Sequence, residues 1–219
     1  MMKTASKGAP RGRPVQAKRL SLFATPLAVC VLPDSEALKA PLSALLDVQY
    51  RGALEASDAK DRPVARPWQG DFAEAGTAEA ELATVIEAAV ALTQAMTPGS
   101  EGSWDVAWRG EALQPGEGFE VQALPGALWC AHYLIDAGGG NGGALDLQDP
   151  RGAAPVMYAP GLTFAAEGAE TLGVSQSIGL KEGALAVFPA WMLQSTALHA
   201  GDRPRLSLTL RLRPRSEET

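Results

Sequence analysis

Polar and apolar residues alternate most cleanly near the end of the chain. There Arg205, Ser207, Thr209, Arg211 and Arg213 interleave with Leu206, Leu208, Leu210 and Leu212. A period of two puts the four leucines on one face of a strand and the polar groups on the other. The leucine face must be buried, and the polar face meets water or lines a wet pocket. Strands are also predicted over Trp104–Trp108, Phe119–Gln122, Leu128–Ile135, Ala144–Leu147, Gly161–Phe164, Gln176–Leu180 and Ala184–Phe188, separated by Gly, Pro or Asp. The first half has helical spacing instead. Asp34 or Ser35 can cap a segment with Leu38, Leu42, Leu45 and Leu46 on one face. Pro41 requires that this helix either kink or begin later, with the proline in its first turn. Thr77 caps a second helix, Glu79 and Glu81 sit at its positive end, and Thr97-Pro98-Gly99 stops it. Its stripe of Leu82, Val85, Ile86, Ala89, Thr93 and Met96 is packing surface. Ala56 to Gly70 reads as a long ordered loop, and Gly138 to Gly143 as a hairpin turn.

Many short strands with Gly- and Pro-rich turns predict a mainly β fold with flanking helices, a double-sheet jelly roll or barrel. The 219 residues include 23 Gly and 16 Pro. At 46% apolar and 20% charged, the composition is that of a globular chain, not a disordered or membrane-embedded one. Residues 1–20 hold six Lys or Arg and no acid, so a net charge of −6 leaves −12 on the remainder. That balance argues against nucleic acid as a partner. The basic segment is expected to be a solvated tail, followed by one domain over 21–214 and a short tail over 215–219. Leu20 to Leu32 has some features of a secretory segment, but Thr25-Pro26 interrupts it and Pro33-Asp34-Ser35-Glu36 follows, so a buried strand from about Leu22 is expected. With no apolar run long enough for a membrane span, the expected location is the cytoplasm. Two Cys and two His leave little material for a thiolate or histidine-rich metal centre. No Gly-x-Ser-x-Gly elbow, His-Glu-x-x-His helix or phosphate-binding loop is present.

Several stretches, in order, resemble the 2-oxoglutarate/Fe(II)-dependent dioxygenase superfamily, in particular its small bacterial and phage branch. Leu22-Phe23-Ala24-Thr25-Pro26-Leu27 is similar to that branch's LF-x-TP strand, and Trp129-Cys130-Ala131-His132-Tyr133-Leu134 to its SGVYYL strand. Gly142 to Arg151 resembles its GG-x-L-x-F-x-DPR hairpin, Gly183 to Trp191 its G-x-L-x-LFPSW segment, and Arg203 to Leu208 its PRISISF strand. The resemblance implies a double-stranded β-helix, cupin-like, with N-terminal helices packed on one sheet. In active relatives a His-x-carboxylate pair before the SGVYYL-like strand and a distal His after the FPSW-like turn hold iron, and an arginine on the last strand holds 2-oxoglutarate. Mapped here, those metal positions are Gln122, Leu124 and Gln194, and the arginine is Arg205. A shift of register would bring Glu120 to a ligand position but would not supply the distal His.

An amide is a weak donor to Fe(II) and a hydrocarbon is none, so the leading expectation is a fold that has lost its iron site. No cofactor is then expected, no catalytic residue is assigned, and Arg205 with Ser207 faces a pocket for a small anion or carboxylate. Two other readings stand beside it. One is an active dioxygenase using Fe(II) and 2-oxoglutarate on a rebuilt site of His132, His199 and a carboxylate such as Asp149, Asp136 or Asp146. The other is a pure protein-interaction domain with a filled interior, and a homodimer is left open. If the histidines hold no metal, His132 is expected to be hydrogen-bonded in the core and His199 exposed.

Overall fold

A computed structural model describes residues 25–56, 67–74, 80–99, 103–140, 143–148, 164–166, 169–171 and 175–215. Several expectations fall outside these residues: the basic tail, the start at Leu22, most of the 56–70 loop, Thr77 and Glu79, the middle of the glycine turn, Asp149 and the last four residues.

The chain forms β1 (Ala28–Val31), α1 (Ser35–Ala56), β2 (Trp68–Gln69), β3 (Ala73–Glu74), α2 (Ala80–Met96), β4 (Trp104–Leu113) and β5 (Trp129–Asp136). It continues with β6 (Leu145–Gln148), β7 (Phe164–Ala166), β8 (Ala169–Thr171), β9 (Ser175–Ile178), β10 (Ala184–Pro189), β11 (Gln194–Thr196) and β12 (Arg205–Pro214). The larger sheet has the order β1-β10-β5-β12-β4-β2, with β3 also on β4, and the smaller has the order β11-β6-β9. The pairs within both are antiparallel. β7 and β8 form a separate hairpin.

The leucine alternation does what its period requires. Leu208, Leu210 and Leu212 are fully buried on the outer face of the larger sheet, with Ala131, Tyr133 and Ile135 of β5 and with Leu38, Leu42, Leu46, Leu82 and Val85 of the two helices. Burying each such side chain contributes roughly 1.5–3 kcal/mol, so this layer fixes the helices to the sheet. It also explains why α1 tolerates Pro41, which lies inside the helix and neither delays its start nor occupies its first turn. The backbone donor lost at Pro41 is offset by the leucines on either side. Gly183, at φ 76°, seats the entry to α1: an added Cβ would lie 2.3 Å from the Ser35 Cβ.

A second apolar cluster fills the space between the sheets, with Cys130, Leu134, Ala186 and Phe188 from the larger and Leu145 and Leu147 from the smaller. Phe119–Gln122 is not a strand: it lies against β11 through one isolated bridge, Gln122 to Gln194. β4 runs five residues beyond the predicted end because it pairs with the whole of β12, from Arg205↔Leu113 to Pro214↔Trp104. Between β12 and β5 the register slips: Leu206 opposes Asp136, but Ser207 opposes Leu134. Ile135 is the extra residue of a β-bulge, and it faces the helices.

Candidate functional site

The inner face of the larger sheet is polar along its middle. In cross-strand register, Ser207 opposes Glu111 on one side and Leu134 on the other, and Thr209 opposes Arg109 and His132. Gln69 opposes Glu111 from β2. Arg205 and Ser207 are completely buried, while Glu111, His132 and Thr209 are 2% exposed. The polar face of β12 thus lines the interior, and its exposure rises only at Arg211 and Arg213.

These side chains satisfy one another. Arg205 donates from Nη1 to Ser207 Oγ at 3.0 Å and from Nη2 to His132 Nε2 at 2.9 Å. A guanidinium only donates, so Nε2 is the acceptor and the ring proton sits on Nδ1, which donates to Thr209 Oγ1 at 3.2 Å. Burial, then the positive charges of Arg205 and Arg109, hold the His132 pKa well below its ordinary value, so the ring is neutral. Its 3.8 Å approach to Glu111 is therefore not an ion pair. Glu111 Oε1 accepts from Arg109 Nε at 3.1 Å and Gln69 Nε2 at 3.1 Å, and Oε2 accepts from Ser207 Oγ at 3.4 Å. Burial lowers the Arg205 pKa to about 10, and Glu111 partly opposes the shift. Among the described residues, two buried donors of this group have no hydrogen-bond partner: Arg205 Nε, and Arg109 Nη2, which meets Glu111 Oε1 as an ion pair at 3.0 Å.

Gln122 and Gln194 lie side by side. Their backbones exchange two 2.8 Å hydrogen bonds, and both side chains border a small cavity with Glu111, His132 and Thr209. The cavity holds about 10 Å³, room for one water. Gln194 Nε2 also points at the Cys130 sulfur, 3.8 Å away, and burial pushes that thiol's pKa strongly upward. Leu124 does not join them and packs among Leu145, Leu147 and Met192.

His199 is not exposed as expected but 1% accessible. Its Nε2 donates to the Arg203 carbonyl at 2.6 Å, and its Nδ1 accepts from Gly201 N at 3.4 Å. Gly138 and Gly201 allow this closure, since a Cβ on either would come within 2.7 Å of the ring. Asp136 faces the other way and binds Lys39 of α1 at 3.2 Å. Asp146 is held by Ser177. Among the described residues no group of three His, Cys, Asp or Glu side chains is placed to hold a metal ion. Nor is any helix long and apolar enough to cross a membrane.

No family model and no curated protein matches the chain. Solved structures do. A Pseudomonas putida prolyl-4-hydroxylase aligns with 89% of this chain and 96% of its own at 18% identity and a TM-score of 0.53. A non-heme alpha-ketoglutarate-dependent carbocyclase of nogalamycin biosynthesis aligns with 92% of this chain and 87% of its own, at 12% identity and a TM-score of 0.54. A prolyl hydroxylase from Trichoplax adhaerens, solved with a hypoxia-inducible-factor peptide, aligns over 85% and 83% at 11% identity, with a TM-score of 0.53. The chain has the fold of the 2-oxoglutarate/Fe(II)-dependent oxygenases. It is a double-stranded β-helix with its helices on one sheet, the architecture the sequence predicts.

Within this oxygenase fold, Gln122 and Gln194 border one cavity with His132, Glu111 and Thr209, Arg205 and Ser207 reach that group only through His132 and Glu111, and Leu124 and His199 stand apart. The stretch Arg109-Gly110-Glu111 carries no signal of this in the sequence, where Gly110 marks a break after Trp108. Its place in a strand follows from pairing with β12.

Proposed function

We propose that this chain is an oxygenase-fold protein that no longer holds iron and works by binding, not by oxidation. The observation that carries the reading is the 2.9 Å contact between Arg205 Nη2 and His132 Nε2. It occupies the nitrogen lone pair with which His132 would reach a metal, and it sets a guanidinium charge where a metal cation would stand. The other ring nitrogen is committed to Thr209. Gln122 and Gln194 offer only amides, and Leu124 offers nothing. Imidazole and carboxylate are the donors that suit Fe(II), so this set does not fit it. The cavity bordered by Gln122, Gln194 and His132 has room for a water, and Arg205 is not among its lining residues.

The test is anaerobic loading of the full chain with Fe(II), followed by metal analysis and a succinate-release assay with 2-oxoglutarate under air. Substoichiometric iron and no succinate are expected. Stoichiometric iron with succinate formation overturns the reading. In that event His132→Ala and His199→Ala locate the ligands, because either nitrogen's loss removes the metal only if it binds there.

A further inference from the structure

The inner face of the larger sheet carries an excess of positive charge. Among the described side chains of that face, four guanidinium groups, Arg109, Arg205, Arg211 and Arg213, stand beside two carboxylates, Glu111 and Asp105; Asp105 opposes Arg213 in register and is bound by Arg215. Glu111 is engaged by Arg109, and Arg205 is engaged by His132 and Ser207. Arg211 is different. It is half-buried, and among the described residues its only partner is the ring of Phe72, whose centroid lies 3.5 Å from the guanidinium carbon. Arg109 approaches the same ring at 4.9 Å. Two like charges thus share one aromatic platform on adjacent rows of a sheet. Arg213 follows two residues along the same face, where the strand becomes exposed.

Aromatic stacking orients a guanidinium without using its N–H donors. Like charges on adjacent rows repel, and a partly desolvated cation without a counter-charge is costly. Burial first, and then the fields of Arg109 and Arg213, depress the Arg211 pKa. An oxyanion that accepts from the forks of Arg211 and Arg213 would remove the imbalance.

We propose that Arg211, stacked on Phe72 beside Arg109 and flanked by Arg213, forms a binding site at the exposed end of the roll for a small doubly charged oxyanion. The site lies three rows along β12 from Arg205 and goes beyond the loss of iron proposed above. It stands or falls without reference to metal content or succinate release. The anion's source is either a phosphate ester or a dicarboxylate.

The full-length chain is titrated calorimetrically with inorganic phosphate and, separately, with succinate, at ionic strength held constant with potassium chloride. A single saturable site for at least one probe is expected. The stronger arm identifies the source. Arg211→Gln should weaken that binding by about tenfold or more, the loss of one charge-assisted fork. Arg211→Lys should fall between, because it keeps the charge without the planar donors. Arg51→Gln should bind as wild type, since that guanidinium lies on α1 and is tied to Asp47. Absence of saturable binding by both probes overturns the proposal. So does wild-type affinity in Arg211→Gln. If near-UV circular dichroism shows Arg211→Gln unfolded, Arg213→Gln, at an exposed position, decides the matter: weakened binding supports the site and unchanged binding overturns it.

Discussion

The two faces of the larger sheet are built on opposite principles. Leu208, Leu210 and Leu212 face the helices in a layer that is apolar throughout, while one residue out of step Arg205, Ser207 and Thr209 face inward in a layer of interlocked donors and acceptors. The outer layer depends on volume and shape, so any well-fitting hydrocarbon can serve there. The inner layer depends on pairing, so each member is specified by another. The difference means that substitutions on the inner face leave the attachment of the helices untouched, because the layer that fixes them does not involve those groups.

The sharpest way to break this contrast is Arg205→Ala. It strips the partner from His132 and Ser207 and opens a void, and it should cost about 3–5 kcal/mol in urea unfolding. Replacing both partners, Arg205→Met with His132→Leu, should recover part of that loss, because the His132 acceptor is then no longer left unpaired, while Ser207 Oγ and Thr209 Oγ1 each still lose a donor. If the double variant is no better than the single one, the inner layer is not a closed unit. On the outer face Leu210→Ala should cost about 2–5 kcal/mol through its cavity, with no second substitution that restores pairing.

Acidity separates the faces more gently. The pKa of His132 is held well below 6.5 in the fold. Below that value the unfolded chain takes up a proton that the folded chain refuses. Stability should therefore be complete above pH 6.5 and fall as pH drops below it, by up to about 1.4 kcal/mol per pH unit. His132→Gln should flatten that slope in urea titrations run between pH 6.5 and the range near 3.8. There Asp136, whose pKa is lowered mainly by Gly138 and Lys39 against its own burial, begins to lose its contribution. The smallest effect belongs to neither face: Arg215→Ala breaks an exposed pair with Asp105 and should change unfolding by about 0–1 kcal/mol.

The outer face was legible in the sequence, and the inner one only in part. Period-two leucines and the Leu82–Met96 stripe define buried surfaces by themselves, because burial of hydrocarbon needs no particular partner. Ordered motifs point to Gln122, Gln194 and Arg205; the two glutamines border one cavity, and Arg205 lies beyond it, bonded to His132. What could not be read was reciprocity. Nothing local to His132 says that it meets Arg205 from 73 residues away, or that His199 is covered by glycines near residue 138. Glu111 and Arg109 were hidden because a strand's length depends on its neighbour.

The slipped register at Ile135 has a consequence of its own. Without it, Asp136 would continue the inward row of Cys130, His132 and Leu134 and would set a carboxylate close to Arg205. With it, the carboxylate swings to the helix side and meets Lys39 and Arg203. A single supernumerary residue in one ladder thus works as a polarity selector: it exports a negative charge and leaves the chamber electropositive.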